Sequence, residues 1–477
     1  MIKKIIFILL FALVVIGALG LWRWSRSQGG LQSAVIKKVA ETVVSDPAEN
    51  ILVPKVLGFE KPQTYLVLFL NNTEIRPGGG FIGAYSVVRV DKGIPHILKV
   101  EGTEILDNQA PQDFESVPPE PLQKYVLVKR WGFRDSNWSP DFAASSMKSL
   151  DLFKKERGVS ADEITGVIGI TPTLLEEILR ISGSITVNGE EFNADNFTEK
   201  LEYEVEFGFA EDGLHFDERK KILADLSHAL LARIRGDLFK HWSSYFALSQ
   251  RMLLEKHILA YSTDSEIQKI LVARGWSGEM KQDKKDYILW ADANMAALKT
   301  DKVMDKELSY SVAPSGTDKY VGTVKMKYKN NGSFTKFTTR YRTYARVFLP
   351  EGSKFISVSG SMKTDRSIEP GAVDQGMENG RQWFGAFISI EPGKTGELAW
   401  QFYVAPQVAG QIKNNSYNLL VQKQLGTIAD KLTLNLNFGK NIVSASPSEA
   451  QENIGDQKYN YKTDLTVDRS IEVGLAN

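Results

Sequence analysis

The chain has 477 residues, 43% of them apolar, with 58 basic and 58 acidic side chains and no cysteine. The charge balance argues against a protein that coats nucleic acid, because phosphate neutralisation needs a basic surplus. The absence of cysteine excludes disulfides, thiolate nucleophiles and thiolate zinc sites, and the length suits two or three domains.

Residues 5–22, IIFILLFALVVIGALGLW, carry no charge. At helical rise they span roughly 27 Å, about one hydrocarbon core. Lys3 and Lys4 favour a cytoplasmic N-terminus, and Trp22 and Trp24 suit the far interface. This predicts an N-terminal transmembrane helix within residues 1–26 and an extracytoplasmic location for the rest. A cleaved signal peptide is the alternative, with Ala18-Leu19-Gly20 as a weak site. The apolar run is longer than a usual signal core, which favours a retained anchor.

A stem over 27–60 follows, where Leu31, Val35, Val39 and Val43 recur every four residues. Residues 64–70, TYLVLFL, read as a buried strand, and 81–90 as a second one. Asp91-Lys92-Gly93 turns that strand into HILKV. Residues 107–121, with four prolines, form a loop, and a helix ends at Gly158.

GVIGI at 166–170 is a strand, and the helix after it is well punctuated: Thr171 as cap, Pro172 first, Gly183 last. Leu174, Leu175, Ile178 and Leu179 are its apolar face. Strand followed by capped helix is the local signature of an α/β layer. Residues 217–274 read as three helices. Asp217 caps the first, which carries Ile222, Leu226 and Leu230. Leu238, Trp242, Tyr245 and Leu253 line the second, and Thr263-Asp264-Ser265-Glu266 opens the third as a capping box. From about residue 305 β-formers alternate with polar residues between Gly, Asn and Pro turns, which predicts an antiparallel β-sandwich. The expected division is an α/β domain with helical additions over 61–304 and a sandwich over 305–477.

Gly78, Gly80 and Gly83 formally fit the dinucleotide fingerprint, but they open a β-like stretch and not a helix, so a turn is the better reading. Their neighbours hold more chemistry. Glu74 and Arg76 lie just beyond a buried strand, and DSNWSPDF adds Asp135, Asn137 and Asp141, with Arg130 and Arg134 close by. Arginines and carboxylates in one cleft suit phosphoryl transfer. In that reading Glu74, Arg76, Asp135 and Asp141 are catalytic, Glu74 and Asp135 hold Mg²⁺, and Asn71, Arg130, Arg134 and Asn137 bind substrate. The competing reading is an ion-paired, solvated loop. The five histidines lack ligand spacing, and His228, between apolar helix positions, reads as packed. Trp131, Phe133, Trp138 and Phe142 either stack on a sugar or isoprenoid or fill a core.

The stretch YLVLFLNNTEIRPGGGFIGAYSVVRVDKG resembles the hallmark of the bacterial domain-of-unknown-function 4012 family. DSNWSPDF, GVIGITPTLLEEILRISGSITVNG and WADANMAALKTDKVMDKELSY resemble its later blocks, so the likeness extends over most of 60–440. It implies a fold and a location but no activity. A fainter similarity is to the LytR-CpsA-Psr phosphotransferases. Those are single-anchor envelope enzymes with an α/β core, a divalent cation and arginines for pyrophosphate. Here the acid is Glu74 in place of an aspartate, and Arg219, Arg233 and Arg235 are only loose counterparts of the family's arginine-dense stretch. Two functions follow. One is metal-assisted phosphotransfer on a lipid-linked glycan or cell-wall polymer; the other is a non-catalytic envelope scaffold or module that binds glycan or protein.

Overall fold

The computed structural model describes residues 54–208, 221–237, 240–449 and 455–476. The expected membrane helix, most of the stem, Asp217, Arg219 and Leu238 lie outside the described residues. Among the described residues no helix is long and apolar enough to cross a membrane.

The first sheet is built on β1 (Gln63–Asn71), β2 (Phe81–Asp91) and β3 (Ile94–Gly102), with β4 (Ile164–Ile170) and β7 (Ile258–Ser262) added in the order β3-β2-β1-β4-β7. β1 is central because its side chains are apolar on both faces, a pattern that only a doubly covered strand can bury. It runs parallel to β4 and antiparallel to β2. The β2–β3 turn places Lys92 at φ 48° and Gly93 at φ 79°, which closes a two-residue hairpin.

Alternation divides the sheet's residues between two cores. Leu66, Leu68 and Leu70 pack with Phe133, Phe142, Leu152 and Phe153, the last three from α2 (Phe142–Lys155). The helix α1 (Thr103–Gln109) adds Leu106 to this core. Tyr65 and Val67 face α3 (Pro172–Ser182), α5 (Lys221–Asp237) and α6 (Trp242–Leu254) on the other side. Between these lie the small hairpin β5 (Ile185–Val187) and β6 (Glu190–Phe192), α4 (Phe197–Tyr203) and a π-turn, Glu204–Gly208.

Local punctuation follows the sequence with three changes. Pro172 and Gly183 bound α3 as expected, but Thr171 makes no cap; its hydroxyl bonds the ring of buried His257 at 2.9 Å. α7 (Ser265–Ala273) is capped by Asp264, whose carboxylate accepts from the amides of Glu266 and Ile267. The run expected to be helical over 217–274 contains β7, five buried or half-buried residues that pair with β4. Four to eight apolar residues between helices carry no period of their own. His228 is exposed, not packed.

The second domain is a sandwich of a six-stranded sheet, β12-β15-β10-β9-β17-β19, on a seven-stranded one, β13-β14-β11-β8-β16-β20-β18. In chain order these are β8 (Asp286–Asn294), β9 (Met304–Pro314), β10 (Tyr320–Asn330), β11 (Tyr341–Pro350), β12 (Lys354–Ser359), β13 (Asp374–Glu378), β14 (Arg381–Ile390) and β15 (Thr395–Tyr403). After helix α8 (Pro406–Lys413) come β16 (Ser416–Gln422), β17 (Lys431–Asn437), β18 (Asn441–Ser446), β19 (Lys458–Asp464) and β20 (Arg469–Ala476). The division expected at 304 does not coincide with the sheets, because β8 is the central strand of the seven-stranded one. All its residues are buried, so it shows neither alternation nor a polar face. Nor is the sandwich wholly antiparallel: β8·β16 and β9·β17 are parallel.

Trp290, Tyr310, Tyr328, Trp400 and Phe402 fill the space between the sheets. One end of this core is ionic. Lys306 Nζ lies 3.0 Å from both Asp292 Oδ2 and Asp301 Oδ1, all three being buried. Tyr328 donates to Asp292 at 2.7 Å and Tyr341 to Asp301 at 2.9 Å. Removing one member of such a network leaves a buried charge without its partner. Lys306→Met is therefore expected to cost about 3–5 kcal/mol, read as a lowered denaturation midpoint of the sandwich. An unchanged midpoint would mean that the network contributes no net stability.

Candidate functional site

The loop between β1 and β2 is built by local bonds. Asn71 Oδ1 accepts from the amide and the hydroxyl of Thr73, at 3.0 and 2.8 Å. Phe81 N donates to Glu74 O and Gly79 N to Arg76 O. The glycines answer to space. Gly79 and Gly80 have φ 117° and 141°, and a Cβ on Gly80 would fall 2.6 Å from the Asn71 carbonyl. A Cβ on Gly78 would fall 2.8 Å from Asn137 Cβ. Asn137 ties the loop down from outside: its Nδ2 donates to Gly80 O at 2.6 Å and its carbonyl accepts from Gly78 N. The glycine run is thus a packing device, and Asn137, only 1% exposed, holds it.

Arg76 and Asp135 do meet, 3.6 Å apart from Nε to Oδ1, and Glu74 Oε1 lies 3.3 Å from Arg76 Nη2. The guanidinium is buried, donates to Asn294 O at 2.8 Å and lies over the Phe81 ring. It occupies the junction between the two domains and is not among the pocket-lining residues described below. Burial raises the Asp135 carboxyl, and Arg76 and Arg134 pull against it. Asp141 does not join this group. Its Oδ1 caps α2 through the Ala144 amide and its Oδ2 accepts from Met280 N, each at 2.9 Å. In this arrangement Arg76 contacts both carboxylates that were expected to hold Mg²⁺. Among the described residues no group of three acidic or histidine side chains is disposed to hold a metal ion.

The remaining arginines are also engaged. Arg130 donates to Asp107 O at 2.6 Å, and Arg134 pairs with the Asp107 carboxylate. Asp107 lies beside Glu156, which accepts from Phe133 N at 2.8 Å. Burial first, and then Asp107, push the Glu156 carboxyl up to about 8. Phe133 and Phe142 are core residues. Trp138 stacks on Tyr344 and under Arg346, across the domain junction.

The open space lies elsewhere. Between the sheet and the helices on the α3 side is a cavity of about 260 Å³, close to the ~300 Å³ lower end of small-molecule sites. Val67, Val88, Leu175, Leu201, Leu226 and Leu230 are among its apolar walls. Its polar lining includes Asn71, Glu104, Arg134, Glu202, Glu206 and Lys299. Lys299, from the β8–β9 connection, has Glu74 at 3.7 Å and Glu206 at 3.9 Å. Of the four residues expected to bind substrate, Asn71 and Arg134 line this cavity and Arg130 and Asn137 do not. Glu202 and Lys299 were not anticipated. The one signal for this cavity was the pair of apolar helix faces at 174–179 and 222–230, read only as core.

Among the described residues these features define a mixed α/β layer with an apolar cavity and a β-sandwich, in contact through a glycine loop. Residues 60–205 match the family model described as a protein of unknown function, DUF4012. The match ends well short of the 440 to which the resemblance was expected to run. No curated protein matches the chain in sequence. Solved structures resemble parts of it only distantly. A candidate nutrient-binding protein from Legionella pneumophila has 6% identity and a TM-score of 0.24, over 40% of this chain and 71% of that one. A Listeria innocua protein has 12% identity and a TM-score of 0.24, over 46% and 80%. An M1 zinc metallopeptidase from Deinococcus radiodurans has 11% identity and a TM-score of 0.18, over 36% and 42%.

The Glu156 carboxyl gives the fold a pH dependence of known sign. Its folded value, about 8, exceeds its usual 4.5, so the folded state holds the extra proton between them. Its stabilising contribution is complete below about 4.5 and is lost as pH rises through about 8. Urea midpoints measured across that window should fall for the native chain and fall less for Glu156→Gln, which keeps an acceptor for Phe133 N. Parallel curves would show that Glu156 is ionised in the folded state.

Proposed function

We propose that the protein is an extracytoplasmic cell-envelope module, tethered through residues 5–22, whose α/β domain binds an amphiphile by its apolar chain. The cavity between the sheet and α3, α4 and α5 carries this reading. Its lining surface is mostly apolar, it also presents charged side chains, and it lies in a chain whose N-terminus has the length and apolarity of a membrane anchor. Lipid-linked glycans are the envelope ligands that combine a long apolar chain with a polar head, and a tethered domain meets them at the membrane surface. The 58 to 58 charge balance speaks against a nucleic-acid partner.

Binding is better supported than phosphotransfer. Phosphoryl chemistry needs guanidinium groups that reach the phosphate. Arg76 is buried against Asn294, and Arg130 and Arg134 are held on Asp107. Asp141 is engaged as a helix cap.

The test uses the full chain in lipid nanodiscs and a series of n-alkanols. Each additional methylene accommodated by the cavity should strengthen binding by about 0.8 kcal/mol, roughly fourfold in Kd. Val205→Trp, which fills the cavity from the π-turn, should weaken every member at least about tenfold while leaving the thermal transition in place. Affinity that is flat with chain length and indifferent to Val205→Trp would remove the basis of this reading.

A further inference from the structure

The rim of the cavity carries a chemical preference. Glu202 projects from α4, and its Oε1 accepts from Thr73 Oγ1 at 2.5 Å and from Asn71 Nδ2 at 3.3 Å. Its other oxygen has no hydrogen-bond partner among the described residues. Burial raises this carboxyl, while Lys299 and the bonds from Thr73 and Asn71 oppose the shift. Among the described residues the other charges lining the cavity are Glu104, Glu206, Arg134 and Lys299.

Both bases are also met by acids outside the lining. Arg134 is paired with Asp107, and Lys299 has Glu74 at 3.7 Å as well as Glu206. A phosphate placed at this rim would face the Glu202 carboxylate, with Arg134 and Lys299, the two bases among the described lining residues, already paired to acids. Like-charge contacts of that kind cost free energy. A hydroxyl or an ammonium would instead donate to the second Glu202 oxygen.

We infer that the cavity selects amphiphiles whose head group next to the chain donates hydrogen bonds, a hydroxyl or an amine, over phosphate, with Glu202 as the recognition residue. The inference rests on the proposal that the cavity holds an apolar chain. It narrows the ligand to glycolipids or lipid amines whose first polar group is a donor.

The experiment compares a long-chain alcohol, the amine and the monophosphate of the same chain, with the full protein in phosphatidylcholine nanodiscs. The alcohol and the amine should each bind at least about tenfold more tightly than the phosphate. In Glu202→Gln the amine's advantage should shrink and the phosphate should gain. An amine well ahead of the alcohol identifies an ammonium head, and equal binding identifies a hydroxyl-type donor; both support the inference. Equal affinity for all three heads, with chain length still effective, overturns the inference and leaves the cavity reading standing. Tightest binding of the phosphate, abolished in Lys299→Ala, overturns it in favour of an anion site. Failure of every chain to bind overturns the cavity reading itself.

Discussion

At residues 78–80 the main chain of the α/β domain lies directly on that of the sandwich at 425–426. A Cβ on Gly426 would fall 1.9 Å from the Gly79 carbonyl oxygen, and Gly78 forms an isolated parallel bridge with Leu425. Two backbones can approach this closely only if neither carries a side chain at the contact. The polar groups trapped there must then find partners in the other domain. Arg76 donates to Asn294 O, Ile75 N donates to Asp301 Oδ2 at 3.1 Å, and Gln424 Nε2 donates to Arg76 O at 3.3 Å. Asp301 also binds Lys306, so the loop is wired into the ionic end of the sandwich core.

That junction accounts for the placing of the charges. Arg76, Asp135 and Asn137 have the composition of a reactive cleft, yet each serves to seat the glycine loop or to neutralise what its burial strands. The open volume arises on the far side of the sheet. There α3, α4 and α5 stand off the sheet, and the aliphatic residues between them leave a cavity unfilled. Its rim is shared between domains, since Lys299 reaches it from the sandwich. Lys302 pairs with Glu199 at 3.4 Å, and Lys336 lies over the Phe207 ring. The α4 segment therefore lines the cavity with one face and meets sandwich lysines with the other.

Much of the fold was legible. The doubly apolar run at 64–70 marked a central strand, Pro172 and Gly183 marked a helix, and the alternation in β10 marked a half-buried strand. The failures share a cause. β7 and β8 are buried along nearly their whole length and show no alternation of exposed and buried positions, so pattern alone could not separate the first from its flanking helices or assign the second to the sandwich. Thr171 looked like a cap, but the ring of His257, remote in sequence, took its hydroxyl.

The sequence by itself determined the elements, the apolar N-terminal stretch, the absence of thiol chemistry and the presence of a loop in which only glycine fits. Those properties follow from residue type and spacing within a few turns of chain. Which charges are buried, which arginines are already bound and where the cavity opens were decided by the tertiary structure alone. The physical reason is that an arginine's availability depends on the groups around it. Arg76 is set by Asn294 and Asp135, Arg134 by Asp107, and Glu202 by Asn71 and Thr73; most of these partners are separated by tens to hundreds of residues and brought together only when the sheets close.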